Sequence, residues 1–243
     1  MISFTLTLLI ALFYFVSNSD SFSYTLNSND PKSNSVMLET KYYHDYETLK
    51  ASSNTVVIYP IFTQSAYAWD GIHDFYTDRC DECITTPIHN FYEKRFASSG
   101  NGFTVLEFLG YEIIDDIDLD KNPEILSKYE KVILLHNEFV TENEFNSITS
   151  HPNVVYLYPN SLSSKIQVDY NQNTISLLRG PGFPNDSVTN GFDWSYDNSE
   201  DLLDWDCNEW GFEKISNGFM LNCYPEHLII DDGYELLKAI KTL

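Results

Sequence analysis

The chain has 243 residues, enough for one sizeable domain, and its 43% hydrophobic content supports a packed core and excludes global disorder. Its 36 acidic and 14 basic residues give a formal net charge of -22. A field of that sign repels nucleic acid and anionic membrane surfaces, so we expect neither as a partner. It fits a solvated exterior, or one that collects cations.

The N-terminus carries an apolar run over residues 2–16, followed by small and polar residues. The run is shorter than the about 20 residues of a membrane-spanning helix. It predicts a secretory signal peptide over residues 1–23, although the usual basic residues are missing, and an uncleaved anchor is the alternative. Residues 24–53 are interpreted as a flexible lead-in. We therefore expect a secreted or cell-surface protein with no membrane span in the mature chain.

Export changes the interpretation of the four cysteines, Cys80, Cys83, Cys207 and Cys223. An even number in an oxidising compartment predicts disulfides, and proximity in sequence suggests Cys80–Cys83 and Cys207–Cys223. Three pairings exist, and the Cys-x-x-Cys spacing also allows a zinc site. A single glycosylation sequon, in a loop rich in Pro and Gly, begins at Asn185.

From residue 54 onward, predicted strands alternate with predicted helices. The strands are Thr55–Pro60, Phe103–Gly110, Lys131–His136 and Asn153–Pro159, and the helices are Asn90–Ser98, Pro123–Tyr129 and Thr141–Ser150. Thr141 and Glu144 have the spacing of a capping box, whereas Asp115–Asp120 is predicted to be an acidic loop. Alternation of this kind predicts an α/β domain over residues 54–243, with a mainly parallel sheet flanked by helices.

The pattern changes after residue 160. Two β-hairpins are predicted, Lys165–Tyr170 with Thr174–Arg179 and Phe212–Ser216 with Gly218–Cys223. A helix over Gly233–Thr242 ends the chain, with apolar residues at helical spacing. We therefore expect hairpin insertions in the C-terminal half of the α/β domain.

The segment Tyr224-Pro225-Glu226, between the last strand and the last helix, resembles a motif of the class I glutamine amidotransferase-like family. In that family a late strand leads into His-Pro-Glu, and a loop and a C-terminal helix follow. The order of elements over residues 54–243 is also similar. The resemblance implies a flavodoxin-like sandwich in which Glu226 occupies the position of the family's catalytic glutamate.

Two other catalytic positions of that family differ in this chain. The family's cysteine nucleophile sits on a Gly-rich turn after an earlier strand, and the corresponding turn here, Pro159–Leu162, contains none. Tyr224 replaces the histidine, and a tyrosine with an ordinary pKa of about 10 is a poor base near neutral pH. The resemblance thus implies a scaffold without glutaminase chemistry, like the trehalose-utilisation-like relatives. The strings VVIYPIFTQSAYAWDG and LLHNEFVT are also similar to uncharacterised exported archaeal proteins.

A site is expected beyond the carboxyl ends of the strands, where open α/β sheets bind ligands. His136, Glu138 and Glu226 are the candidate catalytic residues; the candidate ligand-binding residues are Thr63, Gln64, Asn137, Asn160 and Tyr224. His136 and Glu138 are two residues apart, which places them on one side of an extended segment. With Glu226 they could share a proton or hold a divalent cation. Alternatively, His136 bonds a loop backbone and Glu138 caps the helix that begins near Thr141.

Three functions remain open from the sequence. The first is binding of a small molecule or a cell-surface partner by a non-glutaminase, amidotransferase-like domain. The second is hydrolysis of a carbohydrate or an amide by His136, Glu138 and Glu226. The third is a structural role at the cell surface. No Gly-x-Ser-x-Gly motif or phosphate-binding loop is present in the sequence.

Overall fold

The structure is a computed structural model that describes residues 16–18, 22–25, 35–38, 45–52, 54–194, 196, 207–231 and 233–243. Most of the predicted signal segment, and much of the predicted lead-in, lie outside these ranges. Their described parts contain β1 (Val16–Asn18), β2 (Phe22–Thr25) and β3 (Ser35–Leu38), which form an antiparallel sheet, and the short helix α1 (Tyr46–Leu49).

The remaining elements follow in chain order. The strands are β4 (Thr55–Tyr59), β5 (Thr85–Pro87), β6 (Glu112–Asp115), β7 (Lys131–Leu134), β8 (Phe139–Val140), β9 (Val154–Tyr156), β10 (Ser164–Asp169), β11 (Thr174–Arg179), β12 (Phe212–Ile215) and β13 (Gly218–Leu221). The helices are α2 (Ile61–Ala66), α3 (Ile72–Tyr76), α4 (Gly100–Phe108), α5 (Asp116–Lys121), α6 (Glu142–Ser150), α7 (Leu228–Asp231) and α8 (Gly233–Thr242), with 3-10 helices at Phe96–Ser98 and Pro123–Lys128.

The main sheet has the strand order β12-β13-β9-β7-β4-β6, and all neighbouring pairs except β12–β13 are parallel. Counted along the chain, its parallel strands follow the order 2-1-3-4-5 of flavodoxin-like folds. All residues of β4 are buried, and alternate side chains enter two hydrophobic cores on opposite faces of the sheet. The predicted α/β fold with a mainly parallel sheet is therefore confirmed.

A second sheet, β5-β11-β10-β8, adjoins the carboxyl end of β7. Four residues separate the end of β7 from the start of β8, and β10 pairs with β8 in parallel. The connecting segments also bond to each other through the backbone. The N–H of Leu162 donates to the carbonyl oxygen of Asn137, and the N–H of Ser164 donates to the carbonyl oxygen of Glu138. Both predicted hairpins, β10–β11 and β12–β13, are confirmed.

One predicted strand is wrong. The apolar run Phe103–Gly110 lies mostly in helix α4, and the strand comes later, as β6. The segment Ser99–Gly102, whose composition suggests the end of a helix, instead begins one. Ser99 adopts the left-handed conformation at φ 56°, and the carboxylate of Glu226 binds the first N–H groups of α4. A capping group from such a distant part of the chain has no local sequence signal.

Two further local predictions are wrong. Residues 90–95 form no helix, and only Phe96–Ser98 form a 3-10 turn. The predicted acidic loop over Asp115–Asp120 contains α5, because the Asp115 side chain accepts a bond from the N–H of Asp118 and caps the helix. A run of aspartates is therefore compatible with a helix here, since its acidic residues lie at the positive N-terminal end.

The predicted capping box at α6 is confirmed by reciprocal bonds. Thr141 Oγ1 accepts from the N–H of Glu144, and Glu144 Oε2 accepts from the N–H of Thr141. We expect Thr141→Ala to lower the free energy of unfolding by about 1–2 kcal/mol. Urea denaturation measures this loss, with Thr149→Ala in the same helix as the control. Equal stability of the two variants would contradict the capping role.

All four cysteines are paired, as Cys80–Cys83 and Cys207–Cys223, with Cα–Cα distances of 5.5 and 5.4 Å. The suggested pairing is confirmed, and the zinc alternative is wrong. Two disulfides are typical of a protein that folds outside the reducing cytoplasm. Asn185, which begins the predicted sequon, lies exposed in a loop. Among the described residues, no helix has the length and apolar character needed to cross a bilayer.

Candidate functional site

The parallel sheet brings most of the predicted site residues to its carboxyl edge. His136, Asn137 and Glu138 follow β7, Asn160 follows β9, and Glu226 follows β13. The order of the strands reverses between β4 and β7, and this switch point is where open α/β sheets bind ligands. We call the side chains that meet there the strand-end cluster: Tyr67, His136, Glu138, Tyr158, Asn160, Tyr224 and Glu226.

His136 is the buried centre of this cluster. Its Nδ1 lies 2.7 Å from the carbonyl oxygen of Ala97, and its Nε2 lies 2.9 Å from Asn160 Nδ2. Because a carbonyl only accepts, the Nδ1 carries the hydrogen and the Nε2 accepts from Asn160. Burial lowers the pKa of His136 to about 4, so the ring is neutral near pH 7. The expected bond to a loop backbone is confirmed, and no lone pair is left for a proton from a substrate.

Glu138 is the one carboxylate of the cluster that reaches solvent, with 13% of its side chain exposed. Its Oε2 accepts from Tyr67 Oη at 2.8 Å and lies 3.5 Å from His136 Nε2. Burial raises the pKa of Glu138 to about 7, and the neutral imidazole offers it no charge. Its backbone N–H donates to Thr63 Oγ1 at 2.9 Å. The alternative in which Glu138 caps α6 is wrong, since Glu144 completes that cap.

Glu226 is buried and accepts hydrogen bonds from the N-terminus of α4. Its carboxylate accepts from the N–H of Asn101 at 2.9 Å, the N–H of Gly102 at 3.2 Å and Tyr158 Oη at 2.8 Å. Burial raises the pKa of Glu226 to about 7, although these donors act in the opposite direction. A carboxylate at this position satisfies orphan helix donors and complements the helix dipole.

Tyr158 joins the two halves of the cluster. Its ring stacks on His136 with centroids 4.5 Å apart, and its hydroxyl donates to Glu226. Tyr224 meets both rings edge-on, at 5.8 Å from His136 and 5.4 Å from Tyr158. Glu226 therefore connects to His136 through a tyrosine rather than directly. Across the described ranges, no three or more His, Cys, Asp or Glu side chains form a group that could hold a metal ion.

Two buried asparagine side chains at this edge have amide atoms without hydrogen-bond partners in the described part of the chain. They are both side-chain atoms of Asn137 and the Oδ1 of Asn160, in residues that are 0% and 4% exposed. Leaving a buried donor or acceptor unpaired costs about 1–3 kcal/mol. Such atoms are normally satisfied by water or by a bound molecule.

The other predicted ligand-binding residues organise the loops. Thr63 Oγ1 accepts from the backbone N–H groups of Glu138 and Phe139. Gln64 uses both side-chain atoms: Nε2 donates to the carbonyls of His89 and Phe91, and Oε1 accepts from Tyr59 Oη and the N–H of Glu93. Both side chains are buried and fully occupied with protein groups, so they support the site rather than line it.

A second carboxylate pair is buried beside this edge. Asp116 Oδ2 accepts from the N–H of Phe62 at 2.9 Å, and Asp116 Oδ1 and Glu144 Oε1 have no hydrogen-bond partner among the described residues. Burial raises the pKa of both groups well above the ordinary range, and the charge of Asp116 raises that of Glu144 further. Both are therefore protonated more readily than ordinary carboxylates.

Two surface cavities lie away from the cluster. One of about 460 Å³ lies between the 3-10 helix Pro123–Lys128 and α6, and one of about 310 Å³ lies between α6 and the β10–β11 hairpin. Neither is lined by a residue of the strand-end cluster. Hydroxyl and amide groups line much of the larger cavity, whereas the strand-end cluster combines buried carboxyl groups of raised pKa with an unpartnered amide oxygen, so the cluster is the stronger candidate.

Tyr67 and Tyr158 were not predicted to belong to the site. Tyr158 ends the apolar run of β9, so its sequence context indicates core packing. Tyr67 follows α2, and its contact with Glu138 exists because the fold brings the end of α2 next to the segment between β7 and β8. Its place in the loop after the first parallel strand was the available signal, because such loops border the ligand site.

No protein-family model matches the chain, and no curated protein matches it. The turn after β9 offers no nucleophile, because Ser161 is buried and its hydroxyl donates to the carbonyl of Tyr158 at 2.8 Å.

Proposed function

We propose that this exported protein binds a small polar ligand at the carboxyl edge of its main sheet, in contact with the strand-end cluster. Its scaffold is amidotransferase-like and performs no glutaminase chemistry. The observation that carries the proposal is the buried, unpartnered Oδ1 of Asn160, on the amide that bonds His136, at the carboxyl edge of the sheet. A bound ligand would satisfy atoms that the protein leaves unpaired.

The chemistry of the cluster favours binding over catalysis. All four cysteines form disulfides, so no thiolate is available. His136 uses its Nδ1 hydrogen on Ala97 and its Nε2 lone pair on Asn160. Glu226 already accepts three hydrogen bonds. These residues hold the site rigidly, and rigidity lowers the entropic cost of binding.

Hydrolysis is the second candidate, and the 3.5 Å contact between His136 and Glu138 favours it. Glu138, with a pKa of about 7, has the acidity of a general acid or base near neutral pH. Hydrolysis would then depend on Glu138 and an attacking water.

We also propose that the protein is exported and that residues 1–23 act as its signal peptide, in agreement with the two disulfides.

Thermal unfolding tests the binding proposal with a panel of polyols, amines, amino acids and carboxylic acids. At about 100 times its dissociation constant, a ligand of the native state should raise the melting temperature by about 5–10 °C. Asn160→Leu should abolish the shift, and Asn146→Leu, at an exposed position, should retain it. Shifts that survive Asn160→Leu, or no shift with any class of compound, would contradict this site.

A further inference from the structure

We propose that the ligand of the strand-end cluster is a small organic ammonium ion, held by the Glu138 carboxylate among the rings of Tyr67, His136 and Tyr224. This inference rests on the proposed binding function and specifies its ligand class. The cluster offers three features to such a cation: an uncompensated carboxylate, aromatic side chains in contact with it and an unpartnered amide oxygen.

Glu138 has no cationic partner among the described residues. Its one ion-pair contact is His136, which is neutral, and its one side-chain hydrogen bond comes from Tyr67. The described ion pairs of lysine and arginine are all made with other carboxylates. A largely buried carboxylate without a cation is unfavourable, so it either takes up a proton or pairs with a charge that a ligand supplies.

Two aromatic side chains contact this carboxylate, since Tyr67 Oη lies 2.8 Å and His136 Nε2 lies 3.5 Å from Glu138 Oε2. The Tyr67 and His136 centroids are 5.6 Å apart, those of His136 and Tyr224 are 5.8 Å apart, and His73 stacks on Tyr67 at 4.2 Å. The face of an aromatic ring attracts cations, and cages of such rings recognise substituted ammonium groups. The net charge of -22 adds a long-range attraction for cations.

Asn160 contributes a hydrogen-bond acceptor. Its Nδ2 is held 2.9 Å from His136 Nε2, and that nitrogen lies 3.5 Å from Glu138 Oε2. The unpartnered Oδ1 belongs to the same amide group whose Nδ2 bonds His136. An ammonium ion would find two acceptors here, and no lysine or arginine in the described ranges pairs with Glu138. An anion would meet a carboxylate instead.

The titratable groups around Glu138 make its charge measurable. They are Tyr67, Tyr76, Tyr224, His136 and His73. Burial raises the pKa of the tyrosines and lowers that of both histidines, so Glu138 is the group in this set that ionises near pH 7. A cation should bind the ionised form, and its affinity should therefore rise between pH 6 and pH 8.

Isothermal titration with choline tests this inference. The matched probe is the neutral carbon analogue of choline, in which a tert-butyl group replaces the trimethylammonium group. We expect choline to bind the wild-type protein, to release protons on binding at pH 7, and to bind at least about tenfold more weakly to Glu138→Gln. The control is Glu142→Gln, whose carboxylate is largely exposed and pairs with Lys165.

The outcomes separate the two proposals. Equal binding of choline and its neutral analogue, or equal binding of choline by wild type and Glu138→Gln, would overturn the ammonium class. If a polyol shifted the melting temperature in an Asn160-dependent manner while neither choline nor its primary-amine counterpart ethanolamine bound, the binding function would stand and the ammonium class would fail. Tyr67→Leu provides a second variant, because it removes a ring and leaves the carboxylate, and it should also weaken choline binding.

Discussion

Replacing Glu226 by alanine is expected to lower the free energy of unfolding by about 3–5 kcal/mol. The change leaves the N–H groups of Asn101 and Gly102 and the hydroxyl of Tyr158 without their acceptor. It also opens a cavity at a residue that is 1% exposed. Urea denaturation of the oxidised protein measures the loss.

Glu226→Gln distinguishes the loss of a hydrogen-bond acceptor from the loss of side-chain volume. Glutamine keeps the shape but replaces one acceptor oxygen by a donor, so we expect a loss of about 1–2 kcal/mol. Glu235→Ala, at an exposed position of α8, should change stability by less than about 0.5 kcal/mol. If Glu226→Ala unfolded no more easily than Glu235→Ala, the assignment of Glu226 as the anchor of α4 would be wrong.

The protein is expected to be more stable at pH 5.5 than at pH 8, by about 2 kcal/mol or more. Glu138 and Glu226 have folded pKa values of about 7, above the ordinary 4.5, so their contribution is complete below pH 4.5 and is lost as the pH rises through 7. The raised pKa values of Asp116 and Glu144 act in the same direction.

His136 opposes this trend. Its folded pKa of about 4 lies below the ordinary 6.5, so its contribution is complete above pH 6.5 and is lost as the pH falls toward 4. One imidazole against four carboxyls leaves the net gain on the acidic side in the window from pH 8 to pH 5.5.

Urea denaturation at the two pH values measures the difference. Glu138→Gln should reduce the pH dependence by up to one proton, because the amide does not titrate. Glu142→Gln, whose side chain is 66% exposed, should retain it. A pH dependence that is the same in Glu138→Gln as in the wild type would show that Glu138 does not titrate as we describe.

The sequence predicted the parts of the fold that local pattern controls. Thr55–Tyr59 and Lys131–Leu134 are short apolar runs with clear ends, and the capping box at Thr141 follows from two residues at fixed spacing. The prediction of a strand at Phe103–Phe108 failed because a short apolar run is compatible with a buried helix as well as with a strand. The deciding interaction, the carboxylate of Glu226, comes from the other end of the domain.

The candidate site was predictable in position but not in connections. Parallel strands deliver their trailing loops to one edge, so His136, Glu138, Asn160 and Glu226 were expected near one another. Whether Nε2 of His136 faces a substrate or Asn160 depends on side-chain orientation, which spacing does not encode. The role of Tyr158 as a bridge also required the stacking geometry.

The anchoring of α4 has a consequence for biosynthesis. The acceptor of its first N–H groups lies 125 residues further along the chain, beyond most of the strands of the main sheet. A chain that emerges from the ribosome N-terminus first cannot complete this helix until residue 226 has been translated. Nascent chains stalled before residue 226 should thus remain open to protease at Ser99–Gly102. Protection of this segment from protease would therefore show that the segment after β13 has reached α4. We expect this step late in folding, because it closes a long loop of chain and loses the corresponding entropy.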